Sequence, residues 1–225
     1  MRNAFYTLVF QYFILFPVYA QQPIVDMGNN GSVTTIRFNN MKANEYNVLR
    51  GSPYLSERFE KASFQLNNGQ WTKDQMEIRL NTYSQQIEYQ KDGTIMSSSL
   101  NNIRAFRIGD VLFKSGFENI DKQTTGSFYQ VLYEYKTALI KYAVTEMKTV
   151  KNFDDTKQGD EFVTYQYYYL VDTNKRLTKI TLSKKNILKA LPESKLGVVE
   201  AFIKEKNMKF KTWDEVIELV KELDK

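Results

Sequence analysis

Met76-Glu77-Ile78-Arg79-Leu80-Asn81 sets apolar against polar residues with a period of two, the pattern of a strand with one buried face. Ile87 and Tyr89 repeat it a few residues later. Asn68-Gly69, Asp92-Gly93 and Gly109-Asp110 punctuate the surrounding run, residues 51–113. Each pair suits the two-residue turn of a β-hairpin, where positive φ costs Gly nothing and Asn or Asp little. The stretch therefore predicts strands at 59–66, 71–72, 76–83, 87–91, 94–96, 103–108 and 111–114.

Downstream the strands lengthen. Tyr129, Val131, Tyr133 and Tyr135 fall on one face of a strand, and residues 138–150 are expected to return as its partner. Val163, Tyr165, Tyr167 and Tyr169 line one side of the next, with Phe162, Tyr168 and Leu170 on the other. Apolar cover on both faces predicts an interior strand. A turn at Asp172-Thr173-Asn174 leads into a strand at 177–182. The period then becomes helical. Ser183 and Ser194 stand where two helices would be capped, the first ending before Pro192, the second carrying Val198, Val199, Phe202 and Ile203 on one face. Thr212 with Glu215 forms a capping-box pattern, followed by Trp213, Val216, Ile217, Val220 and Leu223 at helical spacing. The expected fold is α+β: an antiparallel β meander curved into a sandwich or open barrel, with two or three C-terminal helices. Residues 51–182 form the β domain, and 183–225 pack on it.

Upstream, residues 1–20 read as an export signal. Arg2 precedes a largely apolar run, and Val18-Tyr19-Ala20 offers small residues at the positions a signal peptidase inspects. The apolar run is shorter than the roughly 20 residues that span a bilayer, which disfavours an anchor. The mature chain is expected to start at Gln21 and to be periplasmic, outer-membrane-associated or secreted. Residues 21–50 form a polar lead-in, with one strand expected at 33–38.

The hydrophobic fraction of 42% is ample for a packed core. The +5 formal charge is a mild excess that does not imply nucleic acid. Cys and His are both absent, which removes disulfides, thiolate nucleophiles, imidazole metal ligands and the serine–histidine triad. Chemistry based on carboxylate, Lys or Tyr stays open.

Gly51-Ser52-Pro53-Tyr54-Leu55, Phe59, Arg79-Leu80-Asn81-Thr82-Tyr83, Gln86-Ile87-Glu88-Tyr89 and Gly93 resemble an uncharacterised family of exported proteins of Bacteroidota. The similarity continues through Lys184-Lys185, Leu188 and Phe202 and so covers most of the mature chain, leaving out residues 24–50. The resemblance implies an origin in a bacterial envelope. It brings no reaction, substrate or site residue.

Three features bear on function. Tyr129, Tyr133, Tyr165, Tyr167 and Tyr169 are the candidate binding surface, because rigid tyrosine rings on a sheet stack on sugars or anchor peptides at little entropic cost. Tyr is also a good strand former, which accounts for the same residues by packing alone. Asp154, Asp155, Asp160 and Glu161 cluster near Gly159 without the alternation of an EF-hand, and read as a solvated acidic loop. Glu77 with Glu88 is the other carboxylate pair on neighbouring strands, and a glycosidase would hold such a pair roughly 5–9.5 Å apart across a cleft. Between Ser183 and Lys211 eight lysines stand against three glutamates, a surface suited to anionic headgroups. No cofactor or metal is expected, and no nucleic acid. The expected function is that of an exported, non-catalytic envelope module, binding or structural, with envelope protein, glycan or lipid headgroups as partners. One alternative is a carrier of an apolar ligand in a cavity lined by Leu132, Tyr133, Tyr165 and Tyr167. The other is a carboxylate-based hydrolase.

Overall fold

A computed structural model describes residues 41–225, except 47, 49, 67–68, 73–74, 101–102 and 152–157. The expected leader, the expected strand at 33–38, and Asp154 and Asp155 lie outside the described residues. Among the described residues, eleven strands form one sheet: β1 (Met41–Lys42), β2 (Glu60–Leu66), β3 (Met76–Asn81), β4 (Gln86–Lys91), β5 (Thr94–Ser98), β6 (Ile103–Ile108), β7 (Val111–Lys114), β8 (Tyr129–Glu134), β9 (Ala138–Lys151), β10 (Gln158–Val171) and β11 (Leu177–Ile180). The order is β1-β5-β4-β3-β2-β6-β7-β8-β9-β10-β11, with every neighbouring pair antiparallel. Three helices follow: α1 (Lys184–Lys189), α2 (Leu196–Glu205) and α3 (Trp213–Leu223). The protein is α+β, and its sheet is curved but open.

The meander breaks at two places among the described residues: β1 pairs with β5 and not with β2, and β5 is not followed by β6. β6 does not pair with β5 but crosses to the far side of β2. In a flat sheet that step spans four strand spacings, roughly 19 Å sideways. Ser98 faces Ile87, which faces Leu80, level with residue 58; Ile103 faces Leu66, eight positions further along the same strand. That adds roughly 27 Å lengthwise. Five chain steps reach at most about 18 Å. The connection is possible only because β2–β6 curl around a shared interior, filled by Phe64, Leu66, Ile78, Ile87, Tyr89 and Phe106 among others. Phe106 stacks on Phe113 with ring centroids 4.8 Å apart.

The rest of the sheet has two covered faces. On one, Leu139, Leu170 and Ile180 pack beneath Ile187, Val199, Ile203, Val216, Leu219 and Val220 of the helices. Tyr168 stacks on Trp213 there, with centroids 3.5 Å apart. On the other, Tyr129, Ile140, Tyr142, Tyr169 and Val171 are covered by Phe117 and Ile120, from the loop between β7 and β8. β10 thus has apolar cover on both sides where it pairs with β11, as its two-faced sequence requires.

Three local readings are corrected. Ser194 does not cap the second helix: it lies in a 3₁₀ turn at Glu193–Lys195, and α2 begins at Leu196. Val198 points outward and is 59% exposed, while Val199 and Ile203 are buried. Gly159, Asp160 and Glu161 are not in a loop but in β10, paired with Val150, Thr149 and Lys148. In α3 the Glu215 carboxylate accepts from the Thr212 N–H at 3.3 Å, as the capping pattern anticipates, and also from the N–H groups of Lys209 and Lys211 at 2.7 and 2.6 Å.

Candidate functional site

The outer face of β3 and β4 would be a row of polar residues in water if the curled strands stood alone. Residues 42–46, 48 and 50–59 fold across it instead. Leu55 N–H donates to Leu80 O at 2.9 Å and Thr82 N–H to Pro53 O at 2.7 Å, so the crossing segment is tied to the end of β3. The antiparallel register sets Arg79 opposite Glu88, and the covering segment then buries them. Their side chains are 12% and 1% exposed. Such a pair is tolerable only if its hydrogen-bonding groups are satisfied. Arg79 Nε and Nη2 donate to Glu88 Oε2 at 3.0 and 2.7 Å, and Asn81 Nδ2 donates to Glu88 Oε1 at 3.0 Å. Arg79 Nη2 also donates to Tyr54 OH at 2.8 Å, and its guanidinium lies 3.6 Å from the centre of the Tyr54 ring. Burial, with Glu88 close by, pushes the Tyr54 hydroxyl up to about 12.

Asn81 links this group to a second one. Its Nδ2 reaches Tyr46 OH at 3.2 Å, and its Oδ1 accepts the N–H groups of Tyr83 and Ser84 at 3.0 and 2.9 Å, shaping the β3–β4 turn. Tyr46, Tyr83 and Phe162 form a triangle of rings with centroids 5.1–5.7 Å apart. Phe162 belongs to β10, so the curled half of the sheet meets the long β9–β10 hairpin here. Thr82 Oγ1 and Thr145 Oγ1 are 2.7 Å apart across the same junction. Phe162 N–H donates to Arg50 O at 3.0 Å, and Arg50 pairs with Glu161. Gly51 sits against this strand at φ +84°, where a Cβ would fall 2.2 Å from the Phe162 carbonyl oxygen. Only glycine permits the approach.

Between the crossing segment and the sheet lies a cleft of about 610 Å³, within the range of small-ligand sites. Tyr46, Tyr54 and Phe162 line it with Arg79, while Lys42, Asn44, Glu45 and Thr94 contribute polar groups. Lys42 and Glu45 pair with each other at 3.3 Å.

The tyrosines singled out from sequence do not form one surface. Tyr129 and Tyr169 are 0% exposed and belong to the core, with Tyr169 OH donating to Asp121 at 3.0 Å. Burial pushes both hydroxyls far up. Tyr133 parts from Tyr129 because β8 carries a bulge between Val131 and Tyr133, which sends Leu132 and Tyr133 to the helical side. Tyr165 and Tyr167 stay half-buried on the opposite face, each with a lysine ammonium over its ring, Lys148 at 4.9 Å and Lys179 at 4.1 Å. Leu132 and Tyr133 are thus separated from Tyr167 by the sheet itself and line no common cavity with it. Of the carboxylates, Glu77 is exposed opposite Lys61 whereas Glu88 is bound by Arg79, so they form no facing pair. Asp160 accepts from Thr149 Oγ1 at 2.7 Å and Glu161 pairs with Arg50. Among the described residues no group of three or more acidic side chains is placed to hold a metal ion.

Sequence reasoning missed Tyr46, Tyr54, Arg79, Asn81 and Glu88 as a group. The signal that would have found most of them is the hairpin register, which alone sets Arg79 against Glu88. The segments 51–55, 79–83 and 86–89, quoted above for their resemblance, all converge on this site. No family model, curated protein or solved structure matches the chain.

Proposed function

We propose that the protein is an exported, non-catalytic binding module of a bacterial envelope, and that its ligand occupies the cleft between the crossing segment (42–46, 48 and 50–54) and β3–β5. One observation carries the reading: the cleft is built over a floor whose charged groups already satisfy one another. Arg79 is held by Glu88 and Tyr54, and Glu88 by Arg79 and Asn81, so the hydrogen-bonding groups of both are engaged within the floor. A floor so fixed favours binding, because a pre-organised site loses little entropy when it is filled. The leader-like first 20 residues and the resemblance to exported proteins supply the compartment.

The test has two parts. Fractionation of the source cell with N-terminal mass analysis is expected to return an envelope protein beginning at Gln21, and the intact chain in the cytosol overturns export. Native mass spectrometry of the protein recovered from those cells is expected to show an adduct that Thr94→Trp, which fills the cleft mouth, removes. An adduct unchanged by Thr94→Trp, or none at all, overturns the cleft as the site.

A further inference from the structure

We infer that the cleft takes a neutral saccharide, an inference that rests on the cleft being the binding site. Its electrostatics come first. The deep cation, Arg79, is 12% exposed and already bound to Glu88. An anionic ligand reaching it would have to loosen that pair and leave Glu88 buried without its partner, a strongly unfavourable exchange. At the rim Lys42 and Glu45 neutralise each other. Both charge pairs are internal to the site, so a ligand with no net charge is the one that disturbs neither.

The shape and the main chain narrow the class further. An extended peptide binds a sheet by adding a strand to an open edge. The β5 edge beside this cleft is taken, and β1, which ends the sheet, is only two residues long, too short an edge to template an added strand. β1 pairs with β5 through Met41 and Lys42, Ala43 N–H continues to Ile95 O at 3.0 Å, and Arg50 O accepts from Phe162 N–H of β10. An acyl chain would want a closed apolar cavity, whereas Lys42, Asn44, Glu45 and Thr94 bring polar groups to this lining. Aromatic rings beside hydroxyl and amide groups match a sugar, whose C–H faces stack on rings while its hydroxyls exchange hydrogen bonds at their edges. Tyr46 and Tyr54 supply the rings, backed by the buried Phe162, and Asn44 and Thr94 the polar partners.

The experiment uses the mature chain from Gln21, with ring resonances of Tyr and Phe followed by NMR. Neutral hexasaccharides of glucose, mannose and N-acetylglucosamine are titrated in, beside an oligogalacturonate of equal length as the acidic probe. At least one neutral series is expected to shift the Tyr46, Tyr54 and Phe162 resonances, and the acidic probe to leave them in place. Tyr46→Ala is expected to weaken binding roughly tenfold through the lost ring. Because that change also removes the contact with Asn81, Asn44→Ala at the exposed rim serves as a second variant, with a several-fold loss and an unchanged fold. Preference for the acidic probe, or no shift of these rings with any saccharide, overturns the inference. If the native adduct of the preceding test is still lost in Thr94→Trp, only the saccharide falls. If that adduct is also indifferent to Thr94→Trp, the cleft falls with it.

Discussion

At the scale of the residue, Arg79 and Glu88 decide how the site is built. A buried ion pair is weak evidence for stability but costly to break, because the survivor is left charged and dry. Glu88→Leu is therefore expected to cost about 3–5 kcal/mol, somewhat relieved by Glu57, 3.8 Å from Arg79. The double variant Arg79→Met/Glu88→Leu is expected to cost less than Glu88→Leu alone. Urea unfolding of the two proteins checks the order, and a double variant less stable than the single contradicts the assignment. Tyr54 gives a second prediction at this scale. Its hydroxyl ionises at about 12 in the folded chain against 10.0 when free, so the unfolded state gives up its proton first as pH rises. The stabilisation is complete below pH 10 and is lost towards pH 12. The buried hydroxyls of Tyr129 and Tyr169 act in the same direction. Unfolding midpoints are expected to fall through that window and to fall less steeply in Tyr54→Phe; a fall of equal steepness counts against a dry environment for Tyr54.

At the scale of the element, the strands from 76 to 114 were legible because each reports itself locally. The alternation marks the buried face, the Gly-containing pairs mark the ends, and β6 and β7 run over the very residues expected. Asp92 and Gly93 both adopt positive φ, as the tight turn between β4 and β5 demands. What was not legible depends on distant partners. The bulge in β8 is a matter of how β8 registers on β9, and nothing within residues 129–134 announces it. Glu88 looks like the solvent half of an alternating strand until a segment some 30 residues earlier covers it. The helices show the same division. α3 declares its start through Thr212 and Glu215, but its docking relies on Asp224, whose carboxylate accepts from Thr137 N–H at 3.1 Å and Thr137 Oγ1 at 2.9 Å in the β8–β9 turn. Asp224 is 6% exposed, and its loss leaves the part-buried Thr137 donors without this partner. Asp224→Ala is expected to cost about 1–3 kcal/mol and to speed hydrogen exchange at the Thr137 amide. Unchanged exchange there would mean that α3 is held without this contact.

At the scale of the whole molecule, a curled set of strands and a long hairpin are joined where Tyr46, Tyr83 and Phe162 meet, and the cleft opens beside that joint. Of the tyrosines expected to form a surface, Tyr129 and Tyr169 are in one core, Tyr133 packs against the other, and Tyr165 and Tyr167 stay half-buried, while the concave site formed from residues 42–46, 48 and 50–54 laid over the sheet. Under the proposed function, ligand enters this cleft and does not lie on the tyrosine face of β10. Site-specific photo-cross-linking in the source cell tests it most directly, with the reactive group placed at Thr94 in the cleft mouth or at Tyr165 on the opposite face of the sheet. A specific adduct is expected from position 94, diminished by Tyr46→Ala, and none from position 165. An adduct from position 165 with none from 94 would contradict it.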